Sequence, residues 1–135
     1  MTNTREIAQA YIDLLAQGKF AEALGSLAPD VTYRIIGKTA SSRTYDRAGL
    51  LKYLAPAMAK FQQPPVLVFE DLIVEGNRAV ALASGKGIGP TGRLYDQPHY
   101  AMVMDIENGA IRKVIEFLDT VEIETQVLGR NFQDS

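Results

Sequence analysis

The stretch Tyr95-Asp-Gln-Pro-His-Tyr-Ala-Met-Val-Met-Asp-Ile-Glu-Asn-Gly-Ala-Ile-Arg-Lys-Val-Ile-Glu-Phe-Leu-Asp119 reads as a long β-hairpin. Glu107-Asn108-Gly109 is its turn, because Asn and Gly tolerate the positive φ that tight hairpins need. The first arm is expected from about His99 to Ile106 and the second from about Ala110 to Leu118. By period-2 alternation Arg112, Val114, Glu116 and Leu118 share one face of the second arm, and Lys113, Ile115 and Phe117 share the other. Neither face is wholly apolar, so both sides of the sheet are expected to be engaged. Glu116 stands out, a carboxylate inside Val-Ile-Glu-Phe-Leu. It either reaches water, pairs with a cation such as Arg112, or sits in a pocket with a raised pKa.

Working outward, the segments before the hairpin are helical first and extended later. Residues 4–16 carry an apolar stripe of Ile7, Ala10, Tyr11, Leu14 and Leu15, with Asn3 and Glu6 at capping-box spacing and Gly18 as a stop. Phe20 to Ala28 is a second short helix closed by Pro29, and Val31–Ile36 a first strand with Val31, Tyr33 and Ile35 on one face. Asp46 caps a third helix to about Phe61, with a kink or break expected near Leu54 because of Pro56. Val66–Val74 and Arg78–Gly87 form another hairpin about Glu75-Gly76-Asn77. The Gly85–Gly92 segment lacks the Gly-Lys-Ser/Thr ending of a phosphate loop and reads as a flexible loop at a pocket rim. Val121–Leu128 reads as a short helix or an extended arm. Helices gathered ahead of consecutive antiparallel strands indicate an α+β fold with a pocket between the layers.

The 135 residues suit one domain, and 14 basic against 16 acidic residues leave a net charge of −2 with no basic stripe. Nucleic acid is therefore a poor partner. With no cysteine and a single histidine, thiol chemistry is excluded and a metal site is not expected. No apolar run approaches a membrane span, and the expectation is a soluble, cytoplasmic protein.

The candidate catalytic residues are Glu116 as acid or base, His99 as the group that ordinarily titrates near neutrality, and Tyr33 and Tyr11 as hydrogen-bond donors to a ligand oxygen. Each has a structural alternative: a paired or wet carboxylate, an exposed histidine, core tyrosines. Arg34 and Arg112 read as solvated or pairing cations, Asp105 and Asp119 as turn or cap residues. Tyr100, Met102 and Met104 on one arm, with Ile115 and Phe117 on the other, read as an outer apolar face for a homodimer.

Ala10-Tyr11, Leu14–Phe20, Leu27-Ala-Pro-Asp-Val-Thr-Tyr33, Thr44–Leu50, His99–Met104 and Asn108-Gly-Ala-Ile111 through Ile115-Glu-Phe-Leu-Asp119 together resemble the SnoaL-like polyketide cyclases and ketosteroid-isomerase-related proteins of the NTF2-like superfamily. The resemblance covers nearly all of residues 1–135. It implies a cone-shaped barrel in which three N-terminal helices pack into a strongly curved, mixed and mainly antiparallel sheet, a deep apolar pocket, usually a dimer, and no cofactor. Tyr11 resembles the oxyanion-hole tyrosine of the steroid isomerases, but Ile35 and Ala101 stand about where that family has its two acids. Tyr33 and Glu116 resemble the water-positioning tyrosine and the catalytic aspartate of limonene-epoxide-hydrolase-like members, whose asparagine partner is Ile35 here. His99 and Glu116 resemble the pocket histidine and acid of the cyclases. The reading that follows is a cofactor-independent acid/base enzyme of isomerase or cyclase type, acting on a small to medium apolar ketone-like metabolite. A non-catalytic dimeric binding protein, an epoxide hydrolase and an interaction scaffold are the alternatives.

Overall fold

The computed structural model describes residues 3–130. Two helices come first, α1 (Thr4–Ala16) and α2 (Phe20–Gly25). Asn3 caps α1 by accepting from the Glu6 N–H at 2.9 Å, and its amide also donates to the Glu6 carboxylate. The helix ends at Gly18, whose φ of 77° lets Lys19 N–H reach back to the Leu14 carbonyl. Strand β1 (Thr32–Ile35) and the two-residue β2 (Thr44–Tyr45) follow.

Next comes one helical run, α3 (Arg47–Gly49), a π-helical turn (Leu50–Leu54) and α4 (Ala55–Ala59). Asp46 caps it through Gly49 N–H at 2.7 Å. The expected disturbance from Pro56 is present as that π turn, in which Ala55 N–H bonds the Leu50 carbonyl. Proline supplies no N–H and crowds the carbonyl four residues back, and the wider turn accommodates both. Strands β3 (Gln63–Glu75), β4 (Arg78–Ile88), β5 (Leu94–Glu107) and β6 (Ala110–Phe117) complete the sheet. The tail is helical, α5 (Thr120–Glu122) running into a π-helical segment (Ile123–Val127), with Asp119 as the cap.

All six strands lie in one sheet of order β2-β1-β6-β5-β4-β3. Every pairing is antiparallel except β1 with β6. The expected barrel is therefore wrong. Strands β2 and β3 are free edges at opposite ends of the order, so the sheet stays open, neither closed nor strongly curled. The expected three N-terminal helices are also corrected: only α1 and α2 precede the sheet, and the third helical run is inserted after β2. The α1 stripe of Ala8, Tyr11, Ile12 and Leu15 packs on the inner faces of β3 and β4.

The deciding hairpin turns at Asn108-Gly109, with φ of 52° and 76°, as two-residue type I′ loops require. Its register holds a surprise. Glu107 pairs with Ala110 and Ile106 with Ile111, but Asp105 pairs with Lys113, so Arg112 is bulged out of the ladder. Uninterrupted pairing would set Met104 across from Lys113 and Met102 across from Ile115. The extra residue instead sets Met104 across from Val114 and Met102 across from Glu116. A one-residue slip moves a strand's side chains to the other face relative to its partner. Met102 and Met104 are thus in the core, at 1% and 0% exposure, and Tyr100 is half-buried beside them. Of the residues expected on the outer face, only Ile115 and Phe117 stand there. Asp105 is likewise no turn residue; it lies within β5 and pairs with Arg78 across the ladder.

Candidate active site

The inner face of β4 presents Ala79, Ala81, Ala83, Gly85 and Gly87 in alternation. The alanines at 79 and 81 let α1 lie close. At Gly87 the missing side chain lets the β3 backbone come close, and beside Gly85 a cavity of about 120 Å³ lies between the sheet, α1, α2, α4 and the C-terminal helix. Its walls are mostly apolar, among them Leu15, Phe20, Leu24, Leu54, Met58, Phe61, Leu67, Met102, Ile123 and Val127. Its polar lining is Tyr11, Tyr33, Tyr95, Gln97, Tyr100 and Glu116.

Glu116 arrives there because β6 alternates from Val114, inward, through Ile115, outward. Strand β1 runs parallel beside it, with Tyr33 opposite Val114 and Ile35 opposite Glu116. Tyr33 and Glu116 are diagonal neighbours on one face, within reach of a long side chain. The Tyr33 hydroxyl donates to Glu116 Oε2 at 2.9 Å. Glu116 is 5% exposed and, among the described residues, in no ion pair; Arg112, the alternative partner, pairs with Asp30 instead. Burial pushes the Glu116 carboxyl from 4.5 up to about 7, and the Tyr33 hydrogen bond pulls against that rise without cancelling it.

Tyr11, fully buried on α1, completes the group. Burial first, and the Glu116 charge second, push the Tyr11 and Tyr33 phenols up, so both are neutral donors. Tyr11 and Tyr33 are close enough to affect one another's ionisation, yet the Tyr11 hydroxyl makes no hydrogen bond of ordinary geometry. A buried hydroxyl without a partner costs on the order of 1–3 kcal/mol. Its proton is available to a guest.

Of the four residues expected in the site, the structure thus brings Glu116, Tyr33 and Tyr11 together. His99 is not with them. It is exposed and borders a depression on the opposite side of the sheet, with Leu82, Phe117 and Glu70. The cause is the phase that buries Met102 and Met104: alternation back from them puts Ala101 and His99 on the outer face, and a bulge at Pro98-His99, where Tyr100 pairs with Ala83 and Gln97 with Gly85, then turns Gln97 and Tyr95 inward. Arg34 is exposed and bonds Thr44. Asp119 caps α5 as expected.

Gln97 and Tyr95 were not singled out by the sequence reading. Gln97 is buried, accepts from Asp119 N–H at 2.9 Å, and donates to the Asp119 carbonyl at 2.8 Å. It thereby satisfies the chain where β6 ends and the C-terminal helix begins. Glu122 accepts from Asp96 N–H, and buried Glu124 accepts from Ser41 N–H and Oγ and pairs with Arg130. These contacts hold that helix over the cavity. The signal for Gln97 was its inward phase with Tyr95, which the bulge at Pro98-His99 hides. Among the described residues no cluster of His, Asp or Glu could hold a metal, and no helix is long and apolar enough to cross a membrane.

Residues 8–114 match the SnoaL-like domain family. The chain belongs to that family. No curated protein matches this SnoaL-like chain. Solved structures do: an NTF2-like protein of unknown function from Burkholderia pseudomallei is similar, at 18% identity over 94% of this chain and 98% of the other, with a TM-score of 0.78. A protein from Jannaschia sp. CCS1 named for the SnoaL-like polyketide cyclases gives 17% identity, 95% and 93% coverage and a TM-score of 0.73. TerC, crystallised with polyporic acid, gives 18% identity, 91% and 96% coverage and a TM-score of 0.74. At such identities these likenesses establish the SnoaL-like fold, which includes cyclases and isomerases, and no particular reaction.

Proposed function

We propose that this SnoaL-like domain is a cofactor-independent acid/base enzyme that moves a proton to and from carbon next to a carbonyl. The observation that carries the reading is a buried carboxyl, Glu116, poised near pH 7 beside the unpartnered Tyr11 hydroxyl. A base titrating near the working pH is available in both of its forms. In this reading the Glu116 carboxylate takes the proton from the α-carbon. The C–H electron pair becomes the C=C bond, and the carbonyl π pair moves onto oxygen, where the Tyr11 O–H meets the developing charge. The Glu116 carboxylic acid then returns the proton to the same or another carbon. Tyr33 holds the carboxylate in place through its 2.9 Å hydrogen bond. His99, exposed on the far side of the sheet, has no part in it.

The volume limits the guest. An apolar cavity of about 150 Å³ takes up benzene, so about 120 Å³ suits one small ring unless side chains move. The test is deuterium incorporation into cyclohexanone in D2O, followed by NMR. The wild type should exceed buffer, with a rate rising through pH about 7 as the carboxylate forms, and Glu116→Gln should fall to the buffer rate. No acceleration by the wild type with any ring-sized ketone would overturn the enzyme reading in favour of a non-catalytic binding protein, which the apolar walls also suit. We also propose a homodimer through the outer sheet face, now carried by Val66, Val68, Ile73, Leu82 and Phe117, all exposed, rather than by the buried methionines.

A further inference from the structure

Two buried phenols line the cavity, and neither donates a hydrogen bond of ordinary geometry among the described residues. Tyr11 lies near the Tyr33 hydroxyl but makes no hydrogen bond of ordinary geometry among the described residues. Tyr95 reaches the same condition through Gln97. A backbone N–H can only donate and a carbonyl can only accept, so the two bonds from Gln97 to Asp119 fix which end of the amide is which. The amide cannot be turned over. The remaining proton on Nε2 goes to the Tyr95 hydroxyl oxygen, at 3.0 Å. That oxygen is therefore already an acceptor, and its own proton is left for a third party. Tyr95 is buried, with its ring edge-on to Phe61 at 5.4 Å between centroids.

We infer that the cavity takes a ring-sized ligand bearing two acceptor oxygens, one received by Tyr11 beside Glu116 and the other by Tyr95 under the control of Gln97. The chemical class is a small cyclic diketone or a ring ketone with a second carbonyl-like oxygen. Both oxygens must be acceptors, because each meets a phenol whose proton is unspent. A plain hydrocarbon would leave both buried O–H groups unpaired, and a monoketone would leave one. The proton-transfer reading enters only in saying which end reacts; the demand for two acceptors follows from Tyr11, Tyr95 and Gln97 alone.

The test is equilibrium binding of cyclohexanone and 1,4-cyclohexanedione, by titration followed in protein NMR spectra. One added hydrogen bond of ordinary strength corresponds to about a 2- to 10-fold gain in affinity. The dione should bind the wild type tighter by that factor. Tyr95→Phe, which keeps the ring and its packing on Phe61, should lower the dione to the level of cyclohexanone. Equal binding of the two probes, an undiminished preference in Tyr95→Phe, or failure of both probes to bind at their solubility limits would overturn the inference. A preserved dione preference without deuterium exchange would support it while sinking the enzyme reading.

Discussion

Replacing Glu116 by Gln should make the protein more stable at pH 8 and leave it unchanged at pH 4. In the folded chain the carboxyl titrates at about 7, against 4.5 ordinarily. The folded state therefore holds the Glu116 proton more tightly than the unfolded state does. Stability from this source is complete below about 4.5 and is lost as pH rises through about 7. A displacement of about 2.5 at about 1.4 kcal/mol each is worth about 3 kcal/mol. Gln keeps the size, and its carbonyl can still accept from Tyr33, but it has no charge to bury. Unfolding entropy for 135 residues is on the order of 0.3 kcal/mol per kelvin, so the gap in melting temperature should reach about 10 °C. Melting both proteins by circular dichroism from pH 4 to 8.5 isolates the effect, since every other titrating group is common to both. The gap should open from about pH 4.5, stand half open at about 5.8 and be complete just above 7. Curves that stay parallel throughout would show that Glu116 reaches water, and the poised-carboxyl argument would fall with it.

Removing the Tyr33 hydroxyl takes away the contact that restrains the carboxyl's rise. Tyr33→Phe should move the midpoint of the deuterium-exchange profile up by about 1 to 2 pH units, and an unmoved midpoint would deny Tyr33 that role. At Gly87 an added methyl would meet the Gln63 carbonyl oxygen at 2.5 Å and the Pro65 backbone at 2.9 Å. Gly87→Ala should cost about 1–3 kcal/mol in urea denaturation, and a neutral result would mean that β3 yields there. Phe117, 45% exposed, stands on the outer face, and Phe117→Asp should leave a monomer in analytical ultracentrifugation with the fold intact. A wild type that already sediments as a monomer removes the proposed dimer.

What could be read in advance was local. Alternation through Val114, Ile115 and Glu116 placed the carboxyl inward, and Asn108-Gly109 fixed the turn, because both depend only on near neighbours. Two bulges were not legible. One at Arg112 reversed Met102, Met104 and with them His99 relative to β6, and one at Pro98-His99 broke the phase that would have revealed Gln97. The Arg112 bulge carries no local mark that sets the register, and Pro98 marks an interruption in β5 without saying which residues it turns inward. Closure was illegible for a different reason: whether β2 meets β3 is a property of the whole sheet, and no segment encodes it.

The helix over the cavity has a kinetic consequence. Its inward apolar contribution is small, Ile123 and Val127, while Val121 and Leu128 are largely exposed. Polar fastenings at Gln97, Ser41 and Arg130 do much of the holding. Such a segment detaches at a free energy well below that of the whole chain, as a cooperative unit of its own. In hydrogen exchange, residues 119–128 should open together and ahead of β4 and β5. Urea and temperature, by loosening residues 119–128, should then speed the exchange of the cavity's contents well before they unfold the sheet beneath.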